Sequence, residues 1–393
     1  MQNKRVVEMW RLLVIGLALV LPGAKPFRKQ PSTLDLPSLP RQENLHESLR
    51  APWSFAASGD SRDCGDVVMP AIAAGALKHR VKFYWHLGDF RKIYDFDEDM
   101  QHEPAHRKQS VTIIQYQTAA WNDFIQHQIL PFGRTPVFLG IGNHELILPK
   151  TRKQYLAQFA DWLDAPLLRD QRLKDDPSAF RIETYYHWIV GPVDFISLDN
   201  GSSDQFDSAQ VKWFEKVLAR DEQNPHIRTL VVGMHRALPY SISLSHSMNE
   251  SPAGTESGVR VYRDLLEAHH HARKRVYLLA SHSHYFMENA FNTPYWRAHG
   301  GVLPGWIVGT AGAVRYPLPP DANEASQAVT HVYGYLVGTV NPPGSPEGTI
   351  QFKFYKIEKV DIPAPVVETY TSSFVDWCFD ANAQGAAFRT SSR

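Results

Sequence analysis

Short apolar runs alternate with amphipathic stretches between residues 51 and 360 of the chain. The runs are of strand length and rich in β-branched or aromatic residues, and the stretches between them have helical periodicity. Because strands and helices that alternate along a chain pack as layers, the pattern predicts an α/β sandwich. The predicted strands are 54–58, 82–87, 136–141, 195–198, 229–233, 276–280 and 306–308, and the predicted helices are 66–80, 115–130, 151–163, 208–220 and 258–274.

The C-terminal part of the chain shows two further patterns. Residues 331–340 and 349–357 alternate apolar and polar side chains around a Pro-Pro-Gly-Ser segment, which predicts a β-hairpin that belongs to the central domain. Residues 361–393 have little periodicity and predict a tail, partly docked through aromatic side chains. The central domain is therefore expected to span 51–360.

The N-terminus has the features of an export segment. A positive flank precedes an apolar run at 12–21, and residues 22–24 end it. The run is too short for a comfortable membrane span, so 1–24 is interpreted as a signal peptide or an uncleaved signal anchor, with a buried helix as the alternative. The proline-rich residues 25–50 predict a linker. We expect an exported protein, periplasmic or secreted, or one anchored by its N-terminal segment.

Composition excludes several classes of protein. Of 393 residues, 43% are hydrophobic and 21% charged, which is typical of a globular chain and not of a disordered or coiled-coil one. Lys and Arg together number 41, as do Asp and Glu, so net charge does not favour nucleic acid as a partner. With only Cys64 and Cys378, the chain is neither a disulfide-rich scaffold nor a cysteine-based zinc protein. Whether these two cysteines pair is left open.

Five segments share one arrangement, in which an apolar run is followed at once by a side chain that can bind metal. Each segment alone is weak evidence for a metal site, because Gly-Asp is usually a turn and a histidine pair is usually structural. Together they are specific, since the carboxyl ends of strands meet at one crevice in open α/β sheets. Mixed oxygen and nitrogen donors suit Zn, Mn or Fe, and six such donors are enough for two ions. The six donors are Asp60, Asp89, Asn143, His235, His282 and His284.

The motifs of this chain resemble, in type and order, those of the calcineurin-like metallophosphoesterase superfamily, which includes the purple acid phosphatases. The motifs are, in order, Gly-Asp, Gly-Asp, Gly-Asn-His-Glu, His and Ser-His-Ser-His. The resemblance covers roughly residues 54 to 312. It implies a four-layer α-β-β-α sandwich with two central mixed β-sheets, and two divalent or mixed-valence transition-metal ions, either Fe, Mn or Zn. It also implies that Asp60 and His284 hold the first ion, that Asp89 bridges, and that Asn143, His235 and His282 hold the second.

The same resemblance implies an activity, the hydrolysis of phosphate monoesters or diesters by metal-activated hydroxide. His144 is expected to protonate the leaving group or to stabilise charge, and Glu145 is expected to orient it. Arg236, beside His235, is a candidate for substrate binding. The expected substrate is a small phosphate ester or a nucleotide, and the sequence does not predict the oligomeric state.

Arg62 is the main departure from the family pattern. The family places a histidine ligand of the first ion two residues after the first aspartate, and purple acid phosphatases instead use a tyrosine three residues after the bridging aspartate, where this chain has Lys92. Arg62 shares a face with Asp60, so its guanidinium is expected in the crevice, as a bidentate phosphate contact or as a structural salt bridge.

These departures keep two other functions open. The chain is alternatively a non-catalytic or single-metal descendant of the fold that binds a phosphorylated ligand. A nuclease of the same superfamily is less favoured, because the basic residues are scattered and the net charge is zero.

Overall fold

The strands of this protein form two mixed β-sheets. The structure, a computed structural model, describes residues 51–107, 110–202 and 205–383. The predicted export segment 1–24, the predicted linker 25–50 and the end of the predicted tail lie outside the described residues, so those predictions stay predictions.

The first sheet has the strand order β12-β11-β1-β2-β3. Strands β1, β2 and β3 run parallel, and β11 joins β1 antiparallel and pairs with β12 as the predicted hairpin, with Tyr333 opposite Ile357. The strand bounds are β1 Trp53–Ser58, β2 Tyr84–His86, β3 Val137–Leu139, β11 Tyr333–Val340 and β12 Ile350–Ile357.

The second sheet has the order β10-β8-β9-β7-β6-β5-β4. Its central strands β5, β6, β7 and β9 are parallel, and antiparallel strands close both edges. The bounds are β4 Tyr186–Val190, β5 Val193–Ser197, β6 Thr229–Gly233, β7 Arg275–Ala280, β8 Phe286–Glu288, β9 Gly305–Val308 and β10 Gln327–Val329.

Side-chain alternation explains why the two sheets stack. In β1, Phe55 and Ala57 belong to a buried cluster shared with Phe195 and Val231 of the second sheet, whereas Ala56 packs against helices. Successive residues of a strand point to opposite faces, so each sheet buries one face against the other sheet and one against helices. The expected α-β-β-α layering with two central mixed sheets is thus confirmed.

Helices cover the outer faces of the sheets, and capping residues mark their first turns. Thr112 and Gln115 form a capping box, and Asp207 accepts hydrogen bonds from the N–H groups of Ala209 and Gln210. Among the described residues, no helix has the length and apolar character needed to cross a membrane. The helices are Gly65–Lys78, Glu98–His102, Ile113–Phe124, Arg152–Gln158, Ala160–Leu163, Pro166–Asp175, Ser208–Gln223, Pro252–His270, Pro294–Ala298, Ala364–Tyr370 and Ser372–Asp380.

The C-terminal segment, predicted as a tail, contains the last two of these helices. Phe374 is buried in the cluster that also contains helix Gly65–Lys78. Cys378 forms a disulfide with Cys64, 314 residues earlier, which answers the pairing question left open by the sequence. The disulfide ties the end of the described chain to the residue that precedes helix Gly65–Lys78, only four positions after Asp60.

Candidate metal centre

The residues singled out from the sequence meet at the carboxyl ends of the parallel strands of both sheets. Asp60 follows β1, Asp89 follows β2, His235 follows β6 and His282 follows β7. Asp60, Asp89 and His282 have left-handed backbone conformations, with φ of 61°, 61° and 65°. Such conformations are uncommon for residues other than glycine and concentrate at functional sites, where they turn a side chain sharply out of a strand end.

Four donor groups surround one position in the site. His235 Nε2 lies 3.1 Å from Asn143 Oδ1, 3.0 Å from His282 Nδ1 and 3.3 Å from Asp89 Oδ2. A single proton on His235 Nε2 can be donated to only one of these three atoms, so a cation fits the chemistry of the four side chains. The side chains of Asp60, Asp89, His235 and His282 also offer one ligand atom each within 4.8 Å of one another. These residues therefore form a buried Asp/His cluster that can bind a metal ion.

The loop around Ser281 orients His235. His235 Nδ1 lies 3.1 Å from the Leu87 carbonyl oxygen and 3.1 Å from Ser281 Oγ, and Ser281 Oγ donates to the same carbonyl at 3.0 Å. Engaging Nδ1 in this way directs Nε2 toward the donor cluster, as is common for metal-binding histidines. The hydroxyl of Ser281 thus supports the position of His235.

Asp89 is a fully buried carboxylate of the site. Its Oδ1 accepts a hydrogen bond from the His144 N–H at 2.9 Å. Burial opposes ionisation, but His144, His235 and Arg62 outweigh it and hold the pKa of Asp89 well below its usual range. A Cβ on Gly142 would lie 2.2 Å from Asp89 Oδ1, so only glycine fits beside this carboxylate.

Glu145 has a different contact from the one expected. Its carboxylate accepts hydrogen bonds from the N–H groups of Asp89, Phe90 and Gly142, each at 2.8 Å, and not from the imidazole of His144. The prediction that Glu145 orients the His144 ring is wrong, because the Glu145 carboxylate is turned toward these amides. Burial, then the charge of Asp89, raises the pKa of Glu145 to about 7 against the effect of these hydrogen bonds.

The Lys92 carbonyl oxygen orients His144 instead. It lies 2.6 Å from His144 Nδ1, which must therefore carry the proton, and His144 Nε2 accepts from Arg62 Nη1 at 2.5 Å. Burial and the nearby Arg62 charge lower the pKa of His144 to about 4. The Lys92 side chain, at the position of the purple acid phosphatase tyrosine, pairs with Asp63 at 2.6 Å.

Arg62 lies where the resemblance implies the first ion. Its Nη2 is 2.8 Å from His284 Nε2, and its Nε is 3.7 Å from Asp89 Oδ2. His284 Nε2 also lies 3.2 Å from Asp60 Oδ1. The guanidinium is thus inside the crevice, as expected, but both of its Nη atoms contact imidazoles of the site.

The site has three further neighbours, which are Tyr316, Asn200 and Glu250. Tyr316 stacks on His284 with ring centroids 4.0 Å apart, and its hydroxyl interacts with Arg62. Asn200 bonds both the N–H and the carbonyl oxygen of Arg236, and Glu250 pairs with the Arg236 guanidinium. These contacts join residues at least 14 positions apart, and no helix or strand periodicity marks them. Arg236 lies beside His235 and His282, and its proposed role toward substrate stays a prediction.

A solved structure shares this architecture. The purple acid phosphatase PPD1 from yellow lupin (Lupinus luteus) seeds matches with a TM-score of 0.50 and 16% sequence identity, over 78% of this chain and 52% of that chain. This is the calcineurin-like phosphoesterase fold. The fold expected from the motif resemblance is therefore confirmed, and the chain spans about half the length of the lupin phosphatase.

Two further matches are weaker. GAP50, described as the anchor in the inner membrane complex of Plasmodium, has a TM-score of 0.46 and 11% identity over 86% of this chain and 99% of that chain. A dimetal phosphatase from Danio rerio has a TM-score of 0.41 and 10% identity over 78% of this chain and 99% of that chain. No protein-family model and no curated protein sequence matches this chain. The match to the lupin phosphatase, at 16% identity, shows a common fold and leaves activity to be argued from the site.

Proposed function

We propose that this protein is a hydrolase that cleaves phosphate esters with the help of a bound transition-metal ion. The observation that carries the proposal is the meeting of Asp89, Asn143, His235 and His282 around one position, with donor atoms 3.0 to 3.3 Å from His235 Nε2. Nitrogen and oxygen donors of this kind suit Zn, Mn or Fe. The first ion, expected on Asp60 and His284, remains a sequence-based prediction.

Different residues of the chain would have different roles in such a reaction. A bound ion polarises a phosphoryl oxygen and makes a water nucleophile available at neutral pH. Arg62 supplies a fixed positive charge beside Asp60 and Asp89, where a phosphoryl group would gain electrostatic stabilisation. His144 holds the Arg62 guanidinium through Nε2, so proton donation by His144 requires that Nε2 first release Arg62 and take up a proton.

The substrate class and the metal dependence can be tested together. The purified protein is stripped of metal, reloaded separately with Zn²⁺, Mn²⁺ or Fe²⁺, and assayed on matched aryl phosphate monoester and diester substrates. We expect activity to disappear on stripping and to return with at least one ion. Full activity in a metal-free preparation, or no hydrolysis of either substrate with any ion, contradicts the proposal.

The alternative function is binding of a phosphorylated ligand without turnover. Arg62 favours it, because a guanidinium bonded to His144 and His284 engages two side chains assigned to catalysis and metal binding. In that case inorganic phosphate would bind to the metal-loaded protein, measured by calorimetry, whereas neither ester would be hydrolysed.

We also propose that the protein is exported, periplasmic or secreted. The disulfide between Cys64 and Cys378 supports this, since such bonds persist mainly in oxidising compartments. Fractionation of the native host, with detection of the mature N-terminus by mass spectrometry, tests export and cleavage together. Recovery of the full chain only from the reducing cytoplasm contradicts it.

A further inference from the structure

We propose that the guanidinium of Arg62 takes the place of the first metal ion, so that the site works with one ion and one built-in cation. The inference rests on the proposed function, because it concerns the same site. It departs from the two-ion expectation, and it follows from how the histidines of the site direct their lone pairs.

The two imidazoles that face Arg62 are each protonated on Nδ1. His284 Nδ1 lies 2.5 Å from the Val314 carbonyl oxygen, and His144 Nδ1 lies 2.6 Å from the Lys92 carbonyl oxygen. Carbonyl oxygens only accept, so each Nδ1 carries the proton and each Nε2 presents a lone pair. Metal-binding histidines are prepared in the same way. Here both lone pairs meet the Nη atoms of Arg62, at 2.5 and 2.8 Å.

The guanidinium of Arg62 is held in place and occupies the space of the first ion. Arg62 is only 4% exposed, and its guanidinium lies among Asp60, Asp89, His144, His284 and Tyr316. An ion bound by His284 Nε2 would need the lone pair that now accepts from Arg62 Nη2 at 2.8 Å. The first position therefore does not fit an ion while Arg62 stays. The position among Asp89, Asn143, His235 and His282 is lined by carboxylate and amide oxygens and imidazole nitrogens, and it fits one.

The net charge of the site also favours one ion over two. Asp60 and Asp89 are two buried carboxylates, and Arg62 neutralises one of these charges. One divalent ion then leaves the centre with one net positive charge, whereas a second would place two ions and a guanidinium together in a buried site. Like charges this close repel strongly when water is excluded. A histidine at position 62 would remove that repulsion and add a ligand.

The experiment counts ions rather than turnover. The full-length protein is dialysed to equilibrium against excess Mn²⁺ and analysed by elemental mass spectrometry, and spin coupling between Mn²⁺ ions is examined by electron paramagnetic resonance. We expect about one ion per wild-type chain without spin coupling. We expect about two coupled ions in Arg62→His, and about one in Arg62→Lys. Arg236→His, which adds an imidazole beside the site but leaves Arg62 in place, is the matched control and should also bind one.

Each outcome has a distinct meaning. Two coupled ions in the wild type, or one ion in a folded Arg62→His variant, overturns this inference and leaves the proposed function intact. No bound ion in the wild type overturns both. If Arg62→His does not fold, anomalous scattering from Mn²⁺ in wild-type crystals decides the question. A single peak among Asp89, Asn143, His235 and His282 supports the inference, and a peak between Asp60 and His284 overturns it.

Discussion

The carboxylate of Glu145 accepts the backbone N–H of Asp89 at 2.8 Å, so an acidic side chain fixes the loop that carries Asp89, the carboxylate proposed to bind metal. The same carboxylate also accepts from the N–H groups of Phe90 and Gly142. Glu145 thus joins the loop after β2 to the loop after β3 without facing the crevice itself. It acts on the site through the position of Asp89.

Replacing Glu145 should weaken both the fold and the metal site. Glu145→Ala leaves three buried N–H groups without their acceptor, at a cost of roughly 1–3 kcal/mol for each group that stays unsatisfied. We expect a lower midpoint of chemical denaturation and at least a tenfold weaker affinity for Mn²⁺. Glu145→Gln keeps one amide oxygen as an acceptor and should fall between the wild type and Glu145→Ala. Wild-type metal affinity in folded Glu145→Ala would show that Asp89 does not depend on this contact.

Asp89→Asn and His144→Ala should separate metal binding from turnover. Asp89→Asn removes the negative charge that His144, His235 and Arg62 surround, so metal content and activity should fall together.

His144→Ala removes the partner of Arg62 and Asp89 but none of the four donors around the proposed ion. We expect it to retain the metal and to lose roughly 10²–10⁴-fold in turnover. Elemental analysis and ester hydrolysis on the same preparations measure both quantities, and full activity in His144→Ala would remove this residue from the mechanism.

Loss of the disulfide should destabilise the protein and loosen the end of the described chain. Cys64→Ser with Cys378→Ser removes a link that spans 314 residues, and such links stabilise proteins by about 2–4 kcal/mol. We expect a lower thermal midpoint and earlier proteolysis near helix Ser372–Asp380, and the wild type treated with reductant should behave in the same way. Equal stability of the oxidised wild type and the double variant would contradict this prediction.

A buried charge network predicts that the protein loses stability in alkaline solution. His187 bonds Asp175 and lies 2.7 Å from Asp194 Oδ2. Burial disfavours its charge, but Asp194 and Asp175 outweigh burial and raise the pKa of His187 to about 10. Nearby, burial and then Asp194 raise the pKa of Asp221 to about 9. Both groups hold protons in the folded state that the unfolded chain has released by neutral or mildly alkaline pH.

The sign of the effect follows from these directions. The contribution of His187 is full below pH 6.5 and is lost as the pH rises through about 10, and that of Asp221 falls in the same direction through about 9. The free energy of unfolding should decrease by at most about 1.4 kcal/mol per pH unit for each proton that only the folded state holds. His187→Gln should be less stable at pH 7 and have a flatter profile between pH 7 and 10. An unchanged slope in urea denaturation would exclude His187 as its source.

Several parts of this architecture were predictable because their causes are local. The strand at 229–233 and the hairpin of β11 and β12 were predicted close to their observed bounds, since alternating or continuous apolar residues bounded by turn residues specify strands. Strands β4, β8 and β10 were not predicted. Short β8 and β10 lie at or near the edge of the second sheet, where pairing with a neighbour rather than their own pattern defines them. The helices Ala364–Tyr370 and Ser372–Asp380 were likewise missed, because the burial of Phe374 depends on packing against helix Gly65–Lys78 and that of Cys378 on the disulfide to Cys64.

The sequence alone was enough to predict that groups able to bind metal meet at one crevice. These groups belong to Asp60, Asp89, Asn143, His235 and His282. Sequence determined this because each donor lies two to four residues after the end of a strand, and parallel strands end on the same side of a sheet. Only the tertiary structure decided what each group contacts there: that Glu145 bonds amides, that Lys92 orients His144 through its carbonyl oxygen, and that Arg62 lies between two imidazoles. Those contacts join residues distant in the chain, and hydrogen bonding depends on tenths of an ångström that no spacing of residues encodes.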